Sequence, residues 1–413
     1  MGPGLPDVRC ARVCLMKTFI GHRYHLVSTL RFLAALGSLV WLALSFQWLR
    51  GIRKIPVLED VLETDLVDRN PALSIIMAAR DEEQSVNESV ASMLAQDYSG
   101  MLEVIAVNDR STDSTAEILE ELVAKHPDRL RVWNVDSLPE GWLGKTHALY
   151  TGAAWATGKW LLFTDADVIF STDCTEKAVR YATRSGLDHL TLPPEIVCRS
   201  VLLRSFVATF TLVFEMTQRP WRVGDPQAHE HVGVGAFNLI RKDAYERSGT
   251  HRAIRMRPDD DMKLAKLLKR HGFRQGVAYG AGLISVEWHQ TLPDAVRGLS
   301  KSMFSSLDYR IGATVAGVLM LLLTNVLPVF ALFSRYMTGT LCRLNFLSTF
   351  ILYAYRARHF GDKTPWWYAM LHPFGICIFI YAMLRSLSTT LLKGGIDWRE
   401  TRYPLNELKD NVI

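Results

Sequence analysis

The chain has 413 residues, of which 49% are hydrophobic and 22% charged, and its formal net charge is +5. This composition supplies a full apolar core and excludes a disordered chain. The 16 Pro and 27 Gly show no period, which excludes a collagen-like or low-complexity chain. The small positive charge gives no support for nucleic acid as a partner. The six Cys form no CxxC pair, which favours reduced thiols facing a cytosol over disulfides or a zinc site.

An apolar segment near the N-terminus predicts a membrane anchor. Residues 32–49 contain no charge over 18 positions, which is close to the minimum length of a spanning helix. Arg50, Arg53 and Lys54 follow directly, and basic residues there are typical of a cytosolic flank. A cleaved signal peptide is the alternative. The distance from the N-terminus and the lack of a small-residue cleavage pattern favour an uncleaved anchor.

The middle of the chain predicts an α/β domain, because strand-like and helix-like patterns alternate. The predicted strands are 73–79, 102–107, 130–135 and 160–164, and the predicted helices between them are 84–96, 114–125 and 146–156. Ser114 and Glu117 are expected to form a capping box at the start of the second helix. Such alternation predicts a parallel sheet covered by helices on both faces, with ligands bound at the carboxyl ends of its strands.

The C-terminal third is apolar again and predicts two or three membrane helices. Residues 311–333 and 366–384 are the stronger candidates, and the pair Trp366–Trp367 lies at the edge of the second one, as membrane interfaces favour. Residues 337–355 contain Arg343 and Asn345, so this segment either spans, re-enters or lies in the interface.

One further apolar helix, over residues 200–217, is predicted inside the middle region. Arg204 and Glu215 interrupt its apolar pattern, so we expect it to be too polar to span a membrane. Two alternatives remain open for it: an interfacial helix that guides a lipid to the site, or an ordinary buried helix.

These patterns divide the chain into four regions. They are an N-terminal segment 1–54 with an anchor at about 28–49, a cytosolic domain 55–310, a C-terminal membrane region 311–392 and a tail 393–413. The loop 356–363 carries Arg356, Arg358 and Lys363, which predicts that it also lies in the cytosol.

Carboxylates follow three of the predicted strands, at the edge where a parallel sheet binds its ligands. The segments are ARDEE at 79–83, NDRSTD at 108–113 and DAD at 165–167. A single acid there is easily a helix cap or a turn residue, whereas three at one edge favour a binding site.

Neither GxGxxG nor GxxxxGK[ST] is present, so a dinucleotide fold or P-loop is unsupported. Asp165 and Asp167 point to one side of an extended segment and suit Mg²⁺ or Mn²⁺ bridging a diphosphate.

The motifs ARDEE, NDRSTD, GWLGKTHALYTG, TDAD and PDDDMKLAKLLKRHG, in this order, resemble the family-2 glycosyltransferases with a GT-A fold, over about residues 71–305. The resemblance implies a Rossmann-like, mostly parallel sheet and a nucleotide-sugar donor, which we expect to be a UDP-sugar. It also implies roles for individual residues. Ala79, Glu82, Asp109 and Lys145 correspond to the nucleotide pocket, Asp165 and Asp167 to the metal motif, and Asp261 to the general base, with Asp260 its nearest rival.

The chemistry of sugar transfer agrees with the assignment of the base. An inverting transfer needs a group that takes a proton from the acceptor and a group that stabilises the leaving diphosphate. Asp259, Asp260 and Asp261 crowd three like charges together at the start of a predicted helix, which would raise the pKa of at least one. The alternative is that these acids only favour the helix N-terminus.

Within the family, the chain is similar to the membrane-bound, single-transfer enzymes of the carotenoid- and hopanoid-associated branch. The QxxRW signature of processive members is missing, while a GxxK turn and a tail like residues 395–399 are shared. At 234–237 the chain has Val-Gly-Ala-Phe where that branch has Asn-Gly-x-Phe, which puts acceptor or sugar contacts there in doubt.

The resemblance therefore implies a non-processive, metal-assisted, inverting transferase in a bacterial inner membrane, acting on a lipid or lipid-like acceptor in the bilayer. The alternative is a polyprenyl-phosphate sugar transferase. Because an ionised phosphate needs no base, the acids at 259–261 favour a hydroxyl or carboxyl acceptor. A third hypothesis is a membrane-tethered nucleotide-binding protein with a degenerate site.

Overall fold

The computed structural model of the chain describes residues 8–58, 70–280, 282–360, 364–398 and 401–413, without the side chains of residues 8–24 and Trp398. Lys363 of the predicted cytosolic loop and Arg399 of the tail motif lie outside the described residues.

The strands are β1 Leu73–Ala79, β2 Leu102–Asn108, β3 Leu130–Asn134, β4 Trp160–Asp165, β5 Val168–Phe170, β6 His189–Thr191, β7 Glu195–Ile196, β8 Asn238–Arg241, β9 Gln275–Val277, β10 Ile284–Val286, β11 Gly395–Trp398 and β12 Thr401–Pro404. The α-helices are α1 Val8–Ile52, α2 Val86–Leu94, α3 Thr115–Lys125, α4 Gly144–Trp155, α5 Cys174–Arg184, α6 Val201–Gln218, α7 Lys242–Arg247, α8 Asp260–Arg270, α9 Leu292–Ser306, α10 Ile311–Leu321, α11 Leu327–Phe330, α12 Met337–His359, α13 His372–Lys393 and α14 Leu405–Asp410.

A seven-stranded sheet lies at the centre of the middle region, in the order β3-β2-β1-β4-β8-β6-β9. Strands β1 to β4 pair in parallel, and β8 runs antiparallel to both of its neighbours. Successive side chains of β1 point to opposite faces, so Ile75 and Met77 pack under α2, α3 and α5 while Ile76 packs under α4, α7 and α8. The predicted mostly parallel sheet with helices on both faces is therefore confirmed.

The start of α3 differs from the predicted capping box. The side chain of Ser114 makes no capping hydrogen bond. Instead, the Thr115 N–H donates to Asp113 Oδ1 at 3.0 Å, and the Ser114 N–H donates to Glu83 Oε2 at 3.2 Å. The box is wrong because Glu83, and not Glu117, accepts from the Ser114 N–H, while Asp113 accepts from the Thr115 N–H at the start of the helix.

Among the described residues, four helical segments are long and apolar enough to cross a membrane: His25–Ile52, Val201–Arg222, Ile311–Phe330 and His372–Lys393. The expectation that residues 200–217 are too polar to span is wrong by length and hydropathy. The most apolar 18-residue window of Val201–Arg222 is nevertheless 56% buried inside the protein. The predicted span at 366–384 is displaced, because Trp366–Met370 forms a 3₁₀ turn before α13 begins at His372.

Helix α12 lies beside α1 and is continuous through the polar residues that weakened its prediction. Asn345 donates from Nδ2 to the carbonyl of Thr324 at 2.9 Å, in a π-helical turn between α10 and α11. Arg343 donates to the carbonyl of Leu332 at 3.0 Å. Asn345 is thus buried and bonded to backbone inside the helix bundle, which removes most of the cost of placing it in an apolar segment, whereas Arg343 bonds backbone at an exposed position.

Candidate active site

The loops that follow β1 and β2 are held together by hydrogen bonds between their motif residues. The Thr112 N–H donates to Asp81 Oδ1 at 2.8 Å, and the Asp81 N–H donates to Ser111 Oγ at 3.0 Å. Asp81 and Arg110 have positive φ angles of 54° and 59°, a region that residues with side chains rarely adopt. Such strain persists only where surrounding bonds over-determine it, so this edge of the sheet is built to one fixed shape.

Asp109 is buried at the centre of this edge. Its carboxylate pairs with Arg110 at 2.8 Å and with Arg80 at 3.8 Å, and it is 3% exposed. Its N–H donates to the carbonyl of Ala79 at 2.8 Å, so Ala79 contributes backbone here. A Cβ on Gly144 would lie 2.1 Å from Asp109 Oδ2, so only glycine lets the start of α4 approach this carboxylate.

Lys145, the next residue of α4, lies among the predicted acids. Its Nζ is 2.6 Å from Asp165 Oδ1 and 3.7 Å from Asp260 Oδ1. Burial opposes the charged ammonium, but the negative charges of Asp165, Asp260 and Asp261 outweigh burial, so the pKa of Lys145 is raised. The structure thus places a permanent positive charge among residues that the sequence assigned to separate motifs.

Asp165 ends β4, and Asp167 lies in the turn that leads into β5. Burial raises the pKa of Asp167 to about 7, and the negative charges of Asp165 and Glu82 add to that effect. Among the described residues, no group of three or more His, Cys, Asp or Glu side chains is arranged to hold a metal ion alone. Two crowded carboxylates nevertheless fit a hard divalent ion that completes its shell with water or substrate oxygens.

The three consecutive acids at the start of α8 have different environments. Asp259 pairs with the fully buried Arg257 at 3.1 Å and accepts a hydrogen bond from Ser305 Oγ at 2.6 Å, which makes it a structural residue. Asp260 faces Lys145. Asp261 accepts a hydrogen bond from the Gly235 N–H at 2.8 Å. α8 begins at Asp260, so Asp260 and Asp261 both lie in its first turn.

Asp260 and Asp261 are both harder to ionise than a free Asp. Burial raises the pKa of Asp260 to about 6, although the positive charge of Lys145 acts against the rise. Burial raises the pKa of Asp261 to about 7, and the negative charge of Asp260 adds to it. A carboxylate with a pKa near neutrality accepts and releases protons efficiently, which is the property of a general base.

Sequence reasoning missed two features of this site. Gly235 was noted only within a departure from the family pattern, yet a Cβ there would lie 2.6 Å from Asp165 Oδ2 and 3.3 Å from Lys145 Nζ. Arg257 also went unnoticed, although its Nη2 bonds Asp308 Oδ1 at 3.0 Å as well as pairing with Asp259. An arginine just before an acidic run is the only signal that pointed to it.

A cavity of about 1500 Å³ begins at these acids and continues between α6, α9, α10 and α13. Its polar end includes Lys145, Asp165, Asp167, Asp260 and Asp261. Its far walls are apolar side chains, among them Val207, Phe210, Phe214, Leu299, Met303, Met320, Phe379 and Met383. The cavity is therefore charged at the sheet edge and apolar beside the helices that can cross a membrane.

A mostly parallel sheet with acids at its carboxyl edge and a wide adjoining cavity is typical of the GT-A fold, and comparison with known proteins shows this fold. A solved mannosyltransferase, PcManGT from Pyrobaculum calidifontis in complex with GDP-Man and Mn²⁺, superposes with a TM-score of 0.52 at 17% identity, covering 85% of this chain and 99% of that one. At this identity the likeness shows the GT-A fold.

The sequence model described as Glycosyl transferase family 2 matches residues 74–249. The 4,4'-diaponeurosporenoate glycosyltransferase of Staphylococcus aureus strain bovine RF122 / ET3-1 is 23% identical over 360 residues, which are 81% of this chain and 89% of that protein. The protein of the same name from strain USA300 is 27% identical over 242 residues, 57% of this chain and 59% of that protein. The chain thus carries a glycosyltransferase family 2 domain and is a glycosyltransferase, and the resemblance to the carotenoid-associated branch is confirmed.

Proposed function

We propose that the chain transfers one sugar, with inversion, from a nucleotide-sugar to an apolar lipid acceptor held in the cavity. The observation that carries the proposal is that one cavity joins the acids of α8 to apolar walls beside membrane-type helices. A lipid in that cavity would keep its chain among apolar side chains and present its polar end to Asp261.

The proposed chemistry is a single displacement. The acceptor oxygen attacks the anomeric carbon of the sugar from the side opposite the diphosphate, a C–O bond forms, and the bond to the leaving diphosphate breaks. For a hydroxyl acceptor, the Asp261 carboxylate takes the proton. A carboxyl acceptor is already ionised at neutral pH and needs no base, so a base at Asp261 favours a hydroxyl over a carboxyl acceptor, which corrects the expectation drawn from the sequence. Lys145 lies 2.6 Å from Asp165 and would stabilise the negative charge that develops on the diphosphate.

Asp165 and Asp167 are the residues that we propose hold Mg²⁺ or Mn²⁺ beside the donor. When bound, the ion would supply positive charge to the diphosphate oxygens. Both residues line the polar end of the cavity beside Lys145, which supports this role. Ala79, Glu82 and Asp109 would form the nucleotide side of the pocket, with a UDP-sugar as the first donor to test.

The class of acceptor is proposed from the relatives. Two of them are named for diaponeurosporenoate, so we propose a carotenoid-type lipid with a hydroxyl or carboxyl end. The apolar cavity walls contributed by α6, α10 and α13 support an acceptor of this kind.

We also propose that the catalytic domain and the C-terminal tail both lie on the cytosolic side of a bacterial inner membrane. Phe360, after α12, packs on Tyr279 of the domain with 4.1 Å between ring centroids. The next helix starts at His372, which lies 3.0 Å from the Tyr353 hydroxyl, part-way along α12. It ends near the domain, where Ser386 accepts a hydrogen bond from a backbone N–H of α9 at 3.0 Å. These contacts support a re-entrant α13, which begins inside the membrane and ends on the side of the domain, rather than a third crossing by the C-terminal helices.

The topology proposal can be tested by labelling with a membrane-impermeant thiol reagent. The exposed residues Glu121 in α3 and Asn406 in α14 are suitable sites for cysteine substitution. We expect Glu121→Cys and Asn406→Cys to react in inverted vesicles and not in intact cells, above the labelling of the unsubstituted chain. Labelling of the two positions from opposite sides would contradict the proposal.

The function is tested with the purified full chain in lipid nanodiscs. A panel of UDP- and GDP-sugars is combined in turn with a carotenoid acid, a long-chain alcohol and a polyprenyl phosphate, in the presence of Mn²⁺. We expect mass spectrometry to show one added sugar on the carotenoid acid or the alcohol. Transfer to the polyprenyl phosphate alone would favour the alternative acceptor class, and no transfer to any lipid would overturn the proposal.

A further inference from the structure

Helix α10 forms one wall of the cavity and begins beside the acids of α8. Asp308, just before α10, accepts a hydrogen bond from Nζ of Lys263 in α8 at 2.7 Å. The residues of α10 that line the cavity are Ala313, Gly317, Met320 and Leu321. Their helical spacing places them on one face of α10. This face therefore leads from the polar end of the cavity into its apolar part.

Position along α10 measures depth in the cavity. An α-helix rises about 1.5 Å per residue, so Gly317 lies about 6 Å and Met320 about 10 Å further along the axis than Ala313. Helix α13 runs beside α10 and gives the same order. Its Ser386 accepts from a backbone N–H of α9 at 3.0 Å, and Met383, about one turn earlier in α13, lies beside Gly317. Gly317 is thus an intermediate position between the acids and the far end of the cavity.

The opposite wall is formed by α6, and α13 joins the two walls. The residues of α6 that line this part of the cavity are Val207, Phe210, Thr211 and Phe214. The rings of Phe210 and of Phe379 in α13 have 6.1 Å between their centroids, while Met383 of the same helix lies against α10 at Gly317. The passage between α6 and α10 therefore has Gly317 and Met383 at its middle, with Phe379 and Met320 beyond them.

Gly317 leaves this passage open. A Cβ there would lie 3.2 Å from Met383 Cε, which is its one neighbour within 4 Å among the described residues outside its own turn of helix. Glycine is a poor residue for a helix interior, so helix stability does not account for it. A longer side chain at this position would extend into the cavity or displace the end of Met383. The missing side chain is therefore space that belongs to the cavity.

We propose that Gly317 sets the length of the acceptor chain that the protein can use. The proposal rests on the proposed function, because it takes the occupant of the passage to be the apolar chain of the lipid acceptor. The polar end of the lipid would lie at Asp261, and its chain would extend along α10 past Gly317. The occupant follows from the continuity of one cavity, whose charged end suits the reacting group, whereas the apolar walls at Met320 and Phe379 suit hydrocarbon and disfavour charge.

A larger residue at this position should discriminate between acceptors by chain length. Gly317→Leu should lower kcat/KM for eicosanol and eicosanoate by about tenfold or more, because each methylene group kept out of the cavity costs about fourfold in binding. For octanol and octanoate we expect a change of about twofold or less, because a chain too short to reach Gly317 keeps its burial. Gly317→Ala should have a small effect on either length, because the end of Met383 is flexible.

The test is a competition between a short and a long acceptor in one reaction, with the full chain in nanodiscs and the UDP- or GDP-sugar that the wild type uses. The ratio of the two products, measured by mass spectrometry, gives the ratio of the kcat/KM values and does not depend on how much of the protein is folded. The matched control is Gly312→Leu in the same helix, at an exposed position where an added Cβ meets no described atom within 4 Å. The double variant Gly317→Leu with Met383→Ala gives back space beside the new side chain, so it should restore use of the long acceptors.

The outcomes separate this proposal from the proposed function. If the wild type glycosylates no lipid, including the carotenoid acid, the proposed function fails and takes this inference with it. If the wild type is active but uses only the carotenoid acid or the short acceptors, the proposed function stands and the inference is overturned. The inference is also overturned if Gly317→Leu affects both lengths equally, or if Gly312→Leu changes the product ratio as much. A lower ratio of long to short product in Gly317→Leu, reversed in the double variant, supports it.

Discussion

The sheet edge at residues 79–83, 108–113 and 165–167 is the proposed donor edge, and the cavity beside it is the proposed acceptor cavity. The two regions are built in opposite ways. The donor edge is formed by short loops whose own motif residues bond each other, such as Thr112 to Asp81 and Arg110 to Asp109. The cavity walls come from α6, α9, α10 and α13, which meet mainly through apolar contacts. Charge and fixed geometry dominate at the first region, and shape and apolar area dominate at the second.

This difference predicts which kinetic constant each region controls. Preorganised charges act on the transition state, so changes at the donor edge should lower kcat strongly. Apolar walls hold the acceptor equally in the ground and transition states, so changes there should mainly raise KM. Substitutions in the two regions therefore test the comparison directly.

The largest effect is expected at the metal motif. Asp165→Asn and Asp167→Asn each remove a charge from the site that would hold the ion, and we expect turnover to fall by about 10²- to 10³-fold or more. Chelation of divalent ions with EDTA should cause a similar loss that added Mn²⁺ reverses. The exposed Asp136→Asn is the matched control and should retain full activity. Activity that survives both EDTA and either substitution would exclude an essential ion.

The next effect separates the three acids of α8. Asp261→Asn should lower kcat on a hydroxyl acceptor by about 10²- to 10⁴-fold, the usual cost of losing a general base. Nucleotide-sugar binding, measured by calorimetry, should change little, because Asp261 bonds Gly235 rather than Lys145. If Asp260→Asn proves more damaging, the base is the neighbouring residue.

Asp259 is the internal control for that experiment. Asp259→Ala removes the carboxylate that accepts from both Nε and Nη2 of the fully buried Arg257, and breaking a buried ion pair typically costs about 3–5 kcal/mol of stability. We therefore expect a lower melting temperature for Asp259→Ala and a near-normal one for Asp261→Asn. Equal loss of stability in both variants would mean that the three acids form one structural cluster.

The donor edge was largely predictable from the sequence, because its residues lie within a few positions of strand ends. A parallel sheet brings the ends of β1, β2 and β4 to one edge, so Asp109 and Asp165 were expected at the same edge, where they lie at the ends of the two strands that flank β1. Lys145 pairs with Asp165 because α4 begins at the same edge of the sheet and then leads the chain into β4, the strand beside β1.

The remaining features depend on contacts that spacing does not encode. Arg257 pairs with Asp308 beyond the end of α9, and Asn411 bonds the backbone of Met256 after the chain has passed through the membrane-type helices. The capping box failed for a related reason, because Glu83 lies far from Ser114 in sequence and near it in space. Sequence patterns predict which elements form, whereas the partners of single side chains follow from how those elements pack.

Gly235 tests how tightly the donor edge is packed. A Cβ at this position would lie 2.6 Å from Asp165 Oδ2, so Gly235→Ala must displace the carboxylate or the loop that carries Asp261. A shift of about 1 Å at a reacting group can cost 10²-fold in rate, and we expect kcat to fall by about ten- to 100-fold. The control is Gly312→Ala in α10, where an added Cβ meets nothing within 4 Å. Normal kcat in Gly235→Ala would show that the edge can relax.

The smallest effect is expected at the acceptor wall. Phe214 lines the cavity from α6 and stacks on Phe210 with 6.2 Å between ring centroids. Phe214→Ala removes apolar contact area, and a loss of about 1.4 kcal/mol of acceptor binding would raise the acceptor KM about tenfold. The donor KM and kcat should stay near wild type, in contrast to every change at the donor edge. Phe374→Ala, at a side chain of α13 that is 53% exposed, is the matched control. A fall in kcat with an unchanged acceptor KM would mean that α6 positions the reacting groups, and the division between the two regions would fail.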